Sequence, residues 1–211
     1  MNYATLAQAI MDWLNKDNIH AVLPTLIRFG QIELEDKLRI RPMEYKPTNG
    51  TVSAGTDSLV IPDDFLELKY LVLLDGTTRN PIEIKVDVKE MYRISTDTSY
   101  TGLPRAICQI GDSLFFDVKT DIEYTREWTY YRRLPALVAA APDNVNWWVE
   151  KAEQAFLMTC LNLASRYISG IPEGDKKKWK DAAEETRHEL FMNHHKELTG
   201  GATLRTNAWQ L

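Results

Sequence analysis

Four groups of residues in this chain are of types that could do chemistry. His188, His194 and His195 crowd one stretch, and neutral imidazole is the commonest metal ligand. His188 and His195 are seven apart and share a helix face, yet two turns hold them about 10 Å apart along the axis. Two ligands of one zinc on a helix need adjacent turns, as in i, i+4 spacing, so no metal site is expected. The carboxylates Asp63 and Asp64 follow Pro62 and lead into Phe65-Leu66-Glu67, which reads as a capped turn. A general acid and base need opposed side chains in a pocket, so a hydrolase built on Asp63, Asp64 and a histidine has no motif behind it. Cys160 falls mid-helix among leucines and Cys108 on an apolar strand, and both read as reduced, buried packing residues. There is no G-x-S-x-G, no G-x-G-x-x-G and no Walker-type lysine loop, so no catalytic residue and no cofactor is expected. The run Lys176-Lys177-Lys178-Trp179-Lys180 is the best nucleic-acid signal, because it mixes cations with an aromatic ring. Asp175, Asp181, Glu184 and Glu185 surround it and Trp179 falls on an apolar stripe, which favours a solvated helix start.

The elements that carry these residues begin with two helices. Tyr3, Leu6, Ile10, Trp13 and Leu14 recur at helical spacing, and Leu23, Ile27, Gly30, Leu34 and Leu38 continue a second stripe behind Pro24, whose missing amide suits a first turn. The charges Glu33, Glu35, Asp36, Lys37 and Arg39 read as a solvated face. Pro42 and Pro47 stop helix, and a β-rich section follows. Asp75-Gly76 and Gly111-Asp112-Ser113 predict antiparallel hairpins. From Ile122 to Arg133 residues alternate, with Ile122, Tyr124, Trp128 and Tyr130 on one face and Glu123, Thr125, Glu127 and Thr129 on the other, as in a half-buried strand. Asn144 or Asn146 can then cap one long helix running to Ile168. Trp148, Ala152, Phe156, Thr159 and Leu163 form one stripe of it, while Leu157, Leu161 and Ile168 lie well round. Such wide apolar coverage predicts burial on two sides, within the chain or against a neighbour, and Trp147 belongs with these packing positions. Gly170 and Pro172 end that helix, and a last one spans roughly Gly174 to Glu197.

The fold class predicted is α+β: a four-helix bundle of two N-terminal and two C-terminal helices, residues 1–42 and 141–197, carrying an inserted antiparallel β-rich domain at 43–140. The remaining stretch, 198–211, opens on Thr199-Gly200-Gly201 and has too few apolar residues to fold alone, so it predicts a flexible arm. Leu204, Arg205, Trp209 and Leu211 are its candidate binding residues, the tryptophan serving as anchor. With 44% hydrophobic and 26% charged residues the chain can bury a core. Its net charge of -5 gives no global basic field for DNA or an anionic membrane, and no stretch approaches the roughly 20 apolar residues of a bilayer span. No membrane partner is expected.

Several segments in order then resemble one family. They are Tyr3 to Leu14 with Trp13-Leu14-Asn15; Leu38-Arg39-Ile40-Arg41-Pro42-Met43-Glu44; Leu59-Val60-Ile61-Pro62-Asp63-Asp64-Phe65-Leu66-Glu67; Gly102-Leu103-Pro104; Ile110-Gly111-Asp112; Tyr130-Tyr131-Arg132-Arg133-Leu134-Pro135-Ala136-Leu137; and Asn144 to Trp148. Together they resemble the head–tail adaptor, or connector, proteins of tailed bacteriophages, of the tail-tubular-A type. That resemblance implies a structural virion protein and no enzyme, made in the host bacterial cytoplasm and placed at the neck of the particle. It implies a ring of twelve copies below the portal protein, a downstream tail or nozzle protein as neighbour, and genomic DNA passing through the channel without specific binding. The alternative function is a DNA-binding packaging regulator of a phage or prophage, using the lysine run and predicting salt-sensitive retention on DNA.

Overall fold

The computed structural model describes residues 1–16, 18–94 and 100–198. The chain divides into two compact units: Met1–Pro42 together with the chain from Leu134 onward, and Met43–Arg133.

The first unit is helical. Helix α1 (Tyr3–Leu14) starts at Asn2, whose side chain accepts the Thr5 amide while the Thr5 hydroxyl accepts the Asn2 amide. That reciprocal box satisfies amides that have no partner inside the helix. Tyr3, Leu6, Ile10 and Leu14 are buried, whereas Trp13, at the margin of that stripe, is exposed. Helix α2 (Leu23–Lys37) carries Pro24 in its first turn. Helix α3 (Val88–Ile94) belongs to the other unit, and the long C-terminal stretch supplies α4 (Trp147–Lys151), α5 (Glu153–Tyr167) and α6 (Glu173–Leu198). Asn146, not Asn144, caps α4, accepting the amides of Trp148 at 3.1 Å and Val149 at 3.3 Å. The single long helix expected from the sequence is broken at Ala152, which sits at φ -133 and ψ 33. The Met1 nitrogen donates to the Val149 carbonyl at 3.1 Å, and that oxygen is the acceptor an unbroken helix would offer to the Glu153 amide.

Helix α5 is the element that α1, α2 and α6 all pack against. Every residue from Ala155 to Ser165 is buried, so its sides are all covered within the chain. Against α2 the approach is close because Gly30 lacks a side chain: a Cβ there would stand 2.6 Å from Cys160 Sγ and 3.3 Å from the Phe156 ring. Gly170, at φ +79, turns the chain into α6.

The second unit is a sheet. Its strands are β1 (Glu44–Tyr45), β2 (Gly50–Val52), β3 (Ser58–Val60), β4 (Phe65–Asp75), β5 (Thr78–Lys85), β6 (Thr101–Gly102), β7 (Ala106–Ile110), β8 (Ser113–Phe116), β9 (Lys119–Thr120) and β10 (Tyr124–Arg132). The main sheet runs β1-β10-β4-β5-β7-β8-β3, with β2 also on β10, and β6 pairs β9 apart from it. Gly76 at φ +56 and Gly111 at φ +58 make the β4–β5 and β7–β8 turns, a conformation that costs a residue with a Cβ about 1–2 kcal/mol. Tyr124, Trp128 and Tyr130 of β10 enter a core with Leu71, Leu73, Ile82, Ile107, Leu114 and Phe116. Ile122, expected on that face, precedes the strand and is exposed, and Thr129, expected on the solvent face, is buried.

The sheet is not wholly antiparallel. β5 and β7 pair parallel, as do β6 and β9. The stretch between β5 and β7 contains α3 and is long enough for the crossover that parallel pairing requires. The return to the helical unit also comes earlier than residue 140, at Leu134. The cause is side-chain chemistry on α2. Gln31 Nε2 donates to the carbonyls of Leu134 at 2.9 Å and Pro135 at 3.3 Å, and the Leu134 amide donates to Glu35 Oε1 at 3.0 Å. These bonds hold residues 134–137 to the helices.

Candidate functional site

Among the described residues the candidate chemistry does not converge. Cys160 is fully buried, and burial pushes its thiol well up, away from the thiolate that would react. Cys108 is raised too, by burial and then by the Asp87 charge. Asp63 and Asp64 form the turn in which the Phe65 amide donates to the Pro62 carbonyl, and Asp64 Oδ1 accepts the Tyr130 hydroxyl at 3.1 Å. His188 is exposed, His194 Nδ1 accepts the Arg41 amide at 3.1 Å, and His195 lies edge-on to Phe191 at 4.8 Å. Among the described residues no three His, Cys, Asp or Glu side chains are grouped to hold a metal ion.

The helical unit carries a groove beside its tandem tryptophans. Trp147 and Trp148 are adjacent on α4, so about 100° of helix rotation separates them and one face cannot bury both. Trp148 is fully buried and its indole N–H reaches Glu35 Oε1 at 3.5 Å. Trp147 stands edge-on to it, centroids 5.2 Å apart, and stays half-exposed. It lines a groove of about 370 Å³ with Ile40, Pro42, Lys151, Leu190, Asn193 and His194. Lys151, Leu190 and Asn193 also line a second hollow of about 280 Å³ on the notch where Ala152 interrupts the helix. Beyond this groove on α6, Phe191 and Met192 are 42% and 39% exposed. Half-exposed aromatic and apolar side chains beside polar ones are the composition of a protein-docking patch.

Of the packing residues expected from the sequence, Leu161 is wholly buried, Leu157 is buried and Ile168 is half-buried. Leu157 and Leu161 are therefore spent inside the chain, and Trp147 is the member of that set that reaches a groove. The arm residues Leu204, Arg205, Trp209 and Leu211 lie outside the described residues. In the lysine run, Lys176 pairs with Glu173 and Lys178 with Asp175 at 3.7 Å, while Trp179 is buried.

A polar network went unseen in the sequence. Glu35 falls among charges that the sequence pattern reads as solvated, yet it is 1% exposed, as is Gln31. Gln31 Nε2 donates to Glu35 Oε1 at 2.8 Å, and Asn146 Nδ2 reaches Gln31 Oε1 at 3.3 Å and the Pro135 carbonyl at 2.9 Å. The available signal was that Gln31 and Glu35, four apart, sit one turn after Ile27 on the apolar stripe.

Comparison with known proteins gives the class. The chain matches the family described as SU10 adaptor protein over residues 1–206 and belongs to that family. It is a phage adaptor protein, of a structural family whose members sit in the virion at the head–tail interface. No curated protein matches the chain. Among the described residues no helix is long and apolar enough to cross a membrane.

Proposed function

We propose that this protein is a head–tail adaptor that assembles as a ring below the portal, joins the capsid vertex to the tail and lines the DNA exit channel. The observation that carries this reading is the family match across nearly the whole chain. The finer likeness to the tail-tubular-A type, the twelvefold ring and a downstream tail or nozzle protein belong to the same proposal. In it, the four long helices α1, α2, α5 and α6 act as one bundle, and the Trp147 groove receives a neighbouring subunit or the portal.

The arm beginning near Leu198 is assigned to docking. In this proposal Leu204, Arg205, Trp209 and Leu211 are the arm's binding residues, with the tryptophan as anchor. Truncating a buried tryptophan anchor typically costs about 2 kcal/mol or more, roughly thirtyfold in affinity. A chain ending at Glu197 should keep its helix content by circular dichroism and fail to co-purify with portal. Equal portal binding by the shortened chain would remove the arm from the docking account.

The alternative of a DNA-binding packaging regulator needs a broad basic surface. The net charge is -5, and Lys176 and Lys178 already have carboxylate partners, so the adaptor is the better supported reading.

A further inference from the structure

One charged feature is not absorbed by docking. Where α5 ends and α6 begins, Asn162, Ser165, Arg166, Glu173, Lys176, Lys177 and Lys180 line a groove of about 400 Å³. Four of these seven are cations and one is a carboxylate. Glu173 is engaged by Lys176, which leaves Arg166, Lys177 and Lys180 exposed and with no carboxylate within ion-pair distance among the described residues. Lys177 and Asp181 are one helical turn apart, and they too make no pair. The groove is thus a local positive site on a protein whose net charge is -5.

We propose that this groove seats the phosphate backbone of duplex DNA without reading sequence. The lining carries the argument twice. It contains no apolar or aromatic side chain, so it lacks the buried anchor on which a protein partner's affinity ordinarily depends. Its cations are three lysines to one arginine. Lysine is a flexible, strongly hydrated point charge, whereas register-specific carboxylate pairing favours the rigid arginine fork. Lysine, arginine, asparagine and serine are among the side chains that contact phosphate and sugar in protein–DNA complexes. No aromatic ring lines the groove to stack on a base, since Trp179 is buried. The contact is therefore weak, salt-sensitive and indifferent to sequence, which suits a duplex that must slide. The inference rests on the adaptor reading only for the choice of DNA as the polyanion at hand, and its test is made without portal.

The experiment measures binding of the full chain to fluorescent 30-base-pair duplexes of two unrelated sequences between 50 and 200 mM salt. Neutralising about three to four phosphates gives a log–log salt slope of about -2.7 to -3.6, so affinity should fall roughly forty- to 150-fold over that range, equally for both sequences. Lys177→Ala and Lys180→Ala should each reduce the slope by about one, while Lys178→Ala, at the residue paired with Asp175, should leave it unchanged. Circular dichroism checks that each variant folds. Binding to a polyglutamate probe of matched charge as tight as to DNA, a preference for one sequence, or DNA binding unaltered in the Arg166→Ala/Lys177→Ala/Lys180→Ala variant would each overturn the proposal. So would absence of DNA binding at 50 mM salt, a result that leaves portal docking, and with it the adaptor reading, to stand on its own test.

Discussion

The two units solve the same problem, specifying one fold, by different chemistry. The sheet unit, Met43–Arg133, is one continuous stretch, and neighbouring strands are joined by turns as short as those at Gly76 and Gly111. Its core is apolar and aromatic, with Trp128 and Tyr130 rings 5.2 Å apart and Phe65 tilted against Tyr130 at 5.2 Å. The helical unit is assembled from two stretches separated by that whole sheet, so it must recognise a distant returning segment. It does so with the buried Gln31–Glu35–Asn146 network and a glycine that lets α2 approach α5. Hydrophobic burial is non-directional, whereas hydrogen bonds fix register, and a discontinuous unit has the greater need of register.

That contrast can be broken most severely at the centre of the helical unit. Leu161 is wholly buried, and Leu161→Asp places a carboxylate where nothing pairs it. The expected loss is about 4 kcal/mol or more, enough to unfold a marginally stable chain, seen as loss of soluble protein or of cooperative thermal unfolding. Next comes the network. Glu35→Ala strands the Leu134 amide and the Trp148 indole N–H and takes one of its acceptors from Gln31 Nε2, and should cost about 3 kcal/mol in denaturant unfolding. A loss below about 1 kcal/mol would show that the network is incidental and that apolar packing alone holds the return.

A sharper probe is Gly30→Ala. The new Cβ would meet Cys160 Sγ at 2.6 Å, an overpacking cost of about 1–3 kcal/mol that outweighs the gain of about 1 kcal/mol in helix propensity. Adding Cys160→Ala removes the obstructing sulfur, so a double-mutant cycle should return a favourable coupling of about 1 kcal/mol or more. Additive effects would mean that the close approach is not what glycine serves.

The smallest effect expected is in the sheet. Burial, and then the Asp64 charge, push Tyr130 up to about 12. The fold favours the protonated phenol, so its contribution is complete below the ordinary tyrosine value near 10 and is lost as pH rises from about 10 through 12. Tyr130→Phe should cost about 1 kcal/mol at pH 7, for the lost bond to Asp64, and make the stability fall less steeply over that alkaline window. Tyr124, also raised by burial and by Asp121, leaves some dependence behind.

The same contrast explains how much was legible in the sequence. Period-two alternation in β10, glycines at the two turns, Pro24 in a first turn and the Gly170–Pro172 stop are local signals, and local structure follows them. What escaped depends on contacts made far along the chain. The break at Ala152 involves the Met1 nitrogen, and the burial of Glu35 involves Leu134 and Trp148. The parallel pairing of β5 with β7 depends on a crossover whose partner no hairpin signal announces. At the candidate site, Trp147 stands out in the sequence as a packing residue and His194 only as a possible metal ligand, while Lys151 and Asn193 carry no signal, because a groove is a property of two helices together.

The adaptor account is tested most directly by mixing the full chain with the assembled portal of its phage and imaging the product by electron cryomicroscopy. The account predicts an added ring of twelve copies on one face of the portal, coaxial with its channel and wide enough for duplex DNA. A portal that stays bare while the protein remains folded and free in the same sample would contradict it.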